Sequence, residues 1–206
     1  MDSEARIVNC LRIAGEKITG INNKSEDELK DVIGLGLREA LAKLHPAEKE
    51  RSIEKMAEIY KDQYQKPDNI PYKLFEGVEP LLQDLKNTGF KLAIATGKGR
   101  QGLDQVLSTT GLSSHFDITR CASETKSKPH PLMLEEILDS LQMDAEQALM
   151  IGDTEYDMEM AVNAGMDRLA VSYGVHAEDR LMRFNPVGCI HDIKELPDAL
   201  QTLFVR

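Results

Sequence analysis

Cysteine is scarce, and the few present stand apart. Cys10, Cys121 and Cys189 are the three in 206 residues, and none has the short Cys–Cys spacing of a metal knuckle or a redox motif. The expectation is reduced, mostly buried thiols in a cytoplasmic protein, not a disulfide scaffold. Long hydrophobic runs are missing too. No stretch approaches the ~20 apolar residues that span a bilayer, and the opening "MDSEARIVNC" is acidic, without the apolar run of a signal peptide. No membrane partner is expected. Basic residues are outnumbered, 25 Lys and Arg against 35 Asp and Glu, for a net charge of -10. Affinity for a nucleic-acid backbone comes from clustered Lys and Arg; no such cluster stands out, so a nucleic-acid partner is not expected either. Repeats and low-complexity segments are absent. What remains, 41% hydrophobic and 29% charged, is the composition of a globular protein with enough chain to bury a core.

The apolar pattern divides the chain into two parts. Up to about Gln65 the period is helical, and no alternating strand pattern occurs. Ile7, Leu11 and Ala14 fall on one face, as do Ile53, Met56 and Tyr60. "SEDE" at Ser25 to Glu28 has the form of a capping box, and "LREALAKLH" stops before Pro46. Pro67 and Pro71 punctuate the end. Residues 1–72 therefore read as a small antiparallel helical bundle. In residues 73–206 strands and helices alternate: "FKLAIAT", "FDITR", "ALMIGD", "RLAVSYG" and a weak "GCI" as strands, with a last helix "IKELPDALQTLF" interrupted by its proline. Continuously apolar strands alternating with helices imply an α/β parallel sheet covered on both faces. Ligands of such sheets bind at the carboxyl ends of the strands.

Three strand ends carry suitable chemistry. At the first, "ATGKGR", the Thr96 hydroxyl and the Gly97 amide at a helix start make an anion site, with Lys98 beside them. At the second, "SKPHP", Pro129 and Pro131 restrict the backbone around Lys128 and His130, so the loop presents a fixed cation; His130 reads as a loop residue. At the third, "MIGDTEYD", Asp153 ends an apolar strand, where a carboxylate is costly unless a cation meets it, and Asp157 follows at i+4. A plain helix N-cap would also explain Asp153. Two carboxylates at a strand end suit Mg²⁺, which takes a few carboxylates, water and substrate phosphate. Brought to one sheet edge, Thr96 and Gly97 would hold a phosphate, Lys128 would neutralise it, and Asp153 with Asp157 would hold the metal. That set suits phosphoryl transfer from a small phosphorylated metabolite.

Gly97, Gly99 and Gly102 also spell G-x-G-x-x-G. A dinucleotide site needs an acid at the end of the next strand for the ribose. That strand, "FDITR", runs into Arg120 and Cys121, with Glu124 beyond it, so the dinucleotide-binding module is the weaker alternative.

"AIATGKGRQGLDQVL", "SKPHP" and "MIGDTEYDMEMAVNAGM" resemble the second, third and fourth motifs of haloacid dehalogenase (HAD)-like hydrolases, most closely the phosphoglycolate phosphatase-like branch. "DSEARIV" and "VIGLGLREAL" resemble that branch's helical cap. The resemblance implies a Rossmannoid parallel-sheet core with an N-terminal α-helical cap that closes over the site and chooses the substrate. It implies a Mg²⁺-dependent phosphatase in which Thr96 and Gly97 bind the transferred phosphate. Lys128 would balance the charges, Asp153 would ligate the metal, and Asp157 would support it directly or through water. The family's first motif, D-x-D at the end of a central first strand, supplies the nucleophile and the acid/base, and it is not found here. Asp2 matches a later family position, not the nucleophile. The expectation is a chain that lacks that strand, inactive as it stands, with Met1 an internal methionine of a longer protein. The strands ending at Thr96 and Asp153 would then lie two strand spacings apart, ~9.5 Å, instead of pairing. A non-catalytic phosphate-binding or regulatory relative is the other reading.

Overall fold

In the computed structural model, which describes residues 3–21, 23–66 and 74–204, the N-terminal apolar stripes form four helices. These are α1 (Glu4–Thr19), α2 (Glu26–Lys30), α3 (Leu37–Leu44) and α4 (Glu50–Gln65). The Ser25 hydroxyl accepts the Glu28 N–H while the Glu28 side chain accepts the Ser25 N–H, so the capping box opens α2 as expected. Leu11, Ala14, Leu41, Leu44, Ile53 and Met56 are buried together, with Ile7 and Tyr60 packed at the margin. This bundle has its own core, separate from the clusters beneath the strands. Asp2, Pro67, Pro71 and the expected division at residues 72 and 73 lie outside the described residues.

The second part alternates as expected. Its elements are α5 (Val78–Asn87), β1 (Ala93–Thr96), α6 (Arg100–Thr110), β2 (Ile118–Cys121), α7 (Leu132–Leu141), β3 (Leu149–Gly152), α8 (Glu155–Asn163), β4 (Asp167–Val171), α9 (Glu178–Met182), β5 (Gly188–Ile190) and α10 (Leu196–Phe204). Every strand pair is parallel. Two expectations are corrected. "RLAVSYG" leaves the ladder at Val171, and residues 172–176 form a turn that serves the site below. The proline does not interrupt the last helix. Pro197 lies in the first turn of α10, where a missing N–H costs nothing. Among the described residues no helix is long and apolar enough to cross a membrane.

The strands form two parallel sheets, β1–β2 and β3–β4–β5. Among the described residues no ladder joins β1 to β3. Between them opens a cavity lined by Ile94 and Ala95 of β1 and by Met150 and Ile151 of β3. No residue of β1 is fully buried, and Ile151 is 37% exposed, whereas Leu169, Ala170 and Val171 of β4 are all buried. The middle strands of a doubly covered parallel sheet are ordinarily buried on both faces; here that middle is open. Met133 and Leu134 of α7 and Met160 and Ala161 of α8 form one buried cluster that Ala95 and Met150 both touch, so apolar packing spans the two sheets.

The cap core sets a direct expectation. Leu41 has no exposed surface, and Leu41→Ala will cost about 2–5 kcal/mol, as buried leucine truncations do. Urea denaturation will show it as a lower midpoint.

Candidate active site

The carboxyl ends of β1 and β3 and the loop after β2 meet at one cavity of about 1130 Å³ between the helical cap and the strands. Thr96, Gly97, Lys128, Asp153 and Asp157 all line it. The structure thus brings together the residues that the three strand ends put forward. Thr96 is the last residue of β1, and its hydroxyl accepts the Lys98 N–H at 3.2 Å. Gly97 follows under the cap. A Cβ built there would lie 2.4 Å from the Leu35 carbonyl oxygen and 2.7 Å from that of Gly34. Both are backbone atoms, so only glycine permits this approach.

Lys128 and Asp157 form a buried ion pair. Lys128 Nζ lies 2.5 Å from Asp157 Oδ1, with the two side chains 6% and 5% exposed. The other carboxylate oxygen of Asp157 accepts the Thr154 N–H at 3.1 Å and the Thr154 hydroxyl at 2.7 Å. Thr154, not Asp153, is therefore the N-cap of α8, in a capping box with Asp157. Gly152 makes room for this: a Cβ there would fall 2.3 Å from Asp157 Cβ.

Asp153 is left to face the cavity. Its Oδ2 accepts the Val175 N–H at 3.0 Å, and its carbonyl accepts the His176 N–H at 3.1 Å. Burial pushes its carboxyl up, the Asp157 charge adds to that, and the Val175 N–H and Lys128 pull it back. A half-buried carboxylate beside a second carboxylate is a place where a cation relieves strain in the charges.

The cap contributes more than a roof. The Gly36 N–H donates to Ser127 Oγ at 2.7 Å, next to Lys128. Tyr156 OH donates to the Asp31 carbonyl at 2.6 Å, and Arg180 Nη2 bridges Asp31 and Glu155 at 2.8 and 2.6 Å. Lys98 reaches from the β1 end to the cap: its Nζ donates to Tyr64 OH at 2.8 Å and lies 5.0 Å from that ring's centroid. The Arg6 guanidinium lies 5.6 Å from the same ring. Burial, then the Arg6 charge, push Lys98 down to about 8.

The segment Gly34–Gly36, Ser127 and Val175 were not singled out from the sequence. "GLG" just before a helix start was the available signal for the first. The turn at 172–176 was hidden because "SYG" extends an apolar strand run. The glycine pattern finds no dinucleotide geometry: cap backbone covers Gly97, and Glu124 is held by Arg100 at 2.6 and 2.7 Å instead of being offered to a ribose. His130 accepts the Leu132 N–H in its own loop, as expected of a loop residue.

Residues 1–171 match the family described as haloacid dehalogenase-like hydrolase. The chain belongs to that family. It is 32% identical over 181 residues to "Probable phosphatase IndB" of Dickeya dadantii, covering 85% of this chain and 78% of that protein. Pyrophosphatase PpaX of Halalkalibacterium halodurans is 30% identical over 177 residues, covering 85% and 79%. The crystal structure of a haloacid dehalogenase-like hydrolase from Bacteroides fragilis superposes with a TM-score of 0.87 at 26% identity, covering 95% of this chain and 93% of that one. A hydrolase from Pseudomonas syringae shares the fold, with a TM-score of 0.86 at 18% identity. By homology this chain is a HAD-family phosphatase, with the α/β core and parallel sheets of that fold and a helix-rich N-terminal region.

Two expectations follow from the HAD site. Asp157→Asn leaves Lys128 buried without its counter-ion and will cost about 3–5 kcal/mol, while Asp157→Leu with Lys128→Met will recover most of that loss. Urea midpoints of Asp157→Leu, of Lys128→Met and of the double variant measure the coupling. Lys98 gives a pH dependence. Its folded pKa of about 8 lies below its ordinary 10.5, so between those values the unfolded chain binds more protons. Its contribution to stability therefore rises with pH across that window. The stability difference between wild type and Lys98→Met, taken at pH 7 and again near pH 10, will shift toward wild type at the higher pH.

Proposed function

We propose that this chain is the cap and most of the core of a Mg²⁺-dependent phosphohydrolase acting on a small phosphomonoester, phosphoglycolate phosphatase-like in class. The observation that carries the reading is that Thr96, Gly97, Lys128 and Asp153, from three separate segments, line one cavity roofed by cap backbone. The Thr96 hydroxyl and the Gly97 amide supply donors for phosphate oxygens. Lys128 and Asp157 fix each other and the α8 start, which holds Asp153 in place. Asp153 suits Mg²⁺: it is a hard oxygen donor whose carboxyl is driven up by burial and by Asp157. Asp157, its oxygens engaged by Lys128 and Thr154, acts by positioning or through water. When bound, the ion would neutralise charge on the phosphoryl oxygens. The cap excludes water and selects the substrate.

The open slot between β1 and β3 belongs to the same reading. Its apolar walls, Ile94, Ala95, Met150 and Ile151, suit a further parallel strand. A strand there satisfies the facing edges of both sheets, and a D-x-D pair at its carboxyl end falls between Thr96 and Asp153. That pair would provide the nucleophile and the acid/base that the family resemblance requires.

The test compares this chain with one extended upstream by its natural codons. The extended chain will hydrolyse an aryl phosphate in Mg²⁺ and lose turnover on chelation. Asp153→Asn in it will lower kcat/KM by about 10²-fold or more. The 206-residue chain alone will show almost none. An extended chain that is folded and monodisperse, yet turns over neither aryl phosphate, phosphoglycolate nor pyrophosphate, would overturn the reading in favour of a non-catalytic phosphate binder.

A further inference from the structure

Away from the cavity, three metal-ligand side chains of different kinds converge where the end of β5 meets α9. Cys189 lies in β5 and His191 directly follows its last residue, Ile190. Glu178 starts α9, which packs against β4. One ligand atom from each of the three lies within 4.8 Å of the other two, and His191 Nδ1 is 3.8 Å from Glu178 Oε2. In a tetrahedral zinc site, bonds of about 2.0–2.3 Å put ligand atoms roughly 3.3–3.8 Å apart. Closing the group needs side-chain shifts of about an ångström, and Glu178 and His191 are exposed enough to make them.

The surroundings favour a cation. Ser172 Oγ lies 2.6 Å from His191 Nδ1 and also donates to the Ile190 carbonyl, which the Cys189 thiol reaches at 3.9 Å, so a hydroxyl sits beside the donors. The Glu195 carboxylate accepts the His191 N–H at 3.0 Å and fixes the backbone that carries the ring. Burial above all, then the Glu178 charge and more weakly that of Glu195, push the Cys189 thiol up, with Ser172 pulling it back; a divalent ion reverses that balance. No cationic side chain forms an ion pair with Glu178 or Glu195 among the described residues, apart from His191 itself when protonated.

We propose that Glu178, Cys189 and His191 form a second metal site, for Zn²⁺ or another thiophilic divalent ion, separate from the oxygen-donor site at Asp153. Thiolate, imidazole and carboxylate together select zinc-like ions over Mg²⁺, which prefers oxygen alone. Ser172 or a water takes the fourth position. On binding, the Cys189 thiol gives up its proton to solvent and its sulfur bonds the metal, so affinity rises with pH. The site does not rest on the phosphatase reading. It does share a segment with it, because Ser172 opens the turn whose Val175 N–H holds Asp153.

The probe is Co²⁺, titrated into the full chain with excess Mg²⁺ present to occupy oxygen-only sites. A near-ultraviolet thiolate-to-cobalt charge-transfer band will grow and saturate at one equivalent, and Zn²⁺ will abolish it. Cys189→Ser will lose the band. His191→Ala and Glu178→Gln, changes at exposed positions, will weaken binding roughly tenfold or more. Absence of the band in wild type, or a band that survives Cys189→Ser and so belongs to Cys10 or Cys121, would overturn the proposal. Unaltered affinity in both His191→Ala and Glu178→Gln would overturn it as well.

Discussion

The buried pair between Lys128 and Asp157 is the constraint on which the rest of the structure leans. Lys128 belongs to the loop after β2, and Asp157 to the first turn after β3. The pair therefore ties together two sheets that share no backbone ladder among the described residues. Removing two charges from water costs several kcal/mol each, and only close geometry with further hydrogen bonds recovers it. Asp157 has those bonds: its carboxylate serves Lys128, the Thr154 N–H and the Thr154 hydroxyl at once. The apolar contact of α7 with α8 through Met133, Leu134, Met160 and Ala161 adds a second tie, since Ala95 of β1 and Met150 of β3 both pack against it. Asn163 adds a third tie, donating to the Pro129 carbonyl at 2.9 Å. Polar and apolar ties together hold Thr96 and Asp153 at opposite sides of one cavity.

That arrangement decides what the cap can do. Its contacts with the core go to the same loops that carry the chemistry: Gly34 and Leu35 onto Gly97, Gly36 onto Ser127, Asp31 onto Tyr156 and Arg180. Most of them use backbone atoms, with one half-buried ion pair between Arg180 and Asp31. The cap's own stability lies elsewhere, in the Leu41 and Met56 core. A core of its own, joined to the strands through a few loops, is what the proposed phosphatase reading needs of a roof that opens for substrate and product. Lys98 and Tyr64 join the two parts across the cavity, so cap position and the charge at the β1 end are linked.

Much of this was legible in the residues. Helical stripes such as Leu11 and Ala14 or Ile53 and Met56 follow from a 3.6-residue period and are buried as that period requires. Alternating apolar strands and helices gave the parallel pairing, and strand-end chemistry led to Thr96, Lys128 and Asp153 because ligands gather at carboxyl ends of such strands. The partition between Asp153 and Asp157 was not legible. Both are aspartates four residues apart, and only the fold shows that Thr154 takes the cap and Lys128 takes Asp157. The cap loop at Gly34–Gly36 was equally hidden, because its partner lies some sixty residues away and no local pattern encodes such a contact. Cys189 was missed for a related reason. Spacing patterns concern pairs of cysteines, whereas the neighbours of Cys189 in space are a histidine just past its strand and a glutamate on a helix.

The electrostatics of the cavity argue for a divalent ion from the chain's own charges. Asp153 and a phosphate dianion in one cavity repel: two like unit charges 4 Å apart oppose each other by about 4 kcal/mol at an effective dielectric of 20. Lys128 does not remove this by itself, since Asp157 already balances it at 2.5 Å. Lys98 is positive at neutral pH, yet burial and the Arg6 charge hold it near 8, and its Nζ is directed to Tyr64 OH. The amides at the α6 start contribute only the partial charge of a helix terminus. Arg38 and Arg100 also line the cavity, each paired with a carboxylate, and Lys61 joins them; on the proposed reading the unpaired positive charge beside Asp153 falls short of what a dianion needs. On the same proposed reading, a D-x-D pair in the β1–β3 slot would deepen the deficit. On that reading a small, hard, doubly charged cation at Asp153 would correct it, and the carboxylate that looked costly at the end of an apolar strand would become the group that positions the correction.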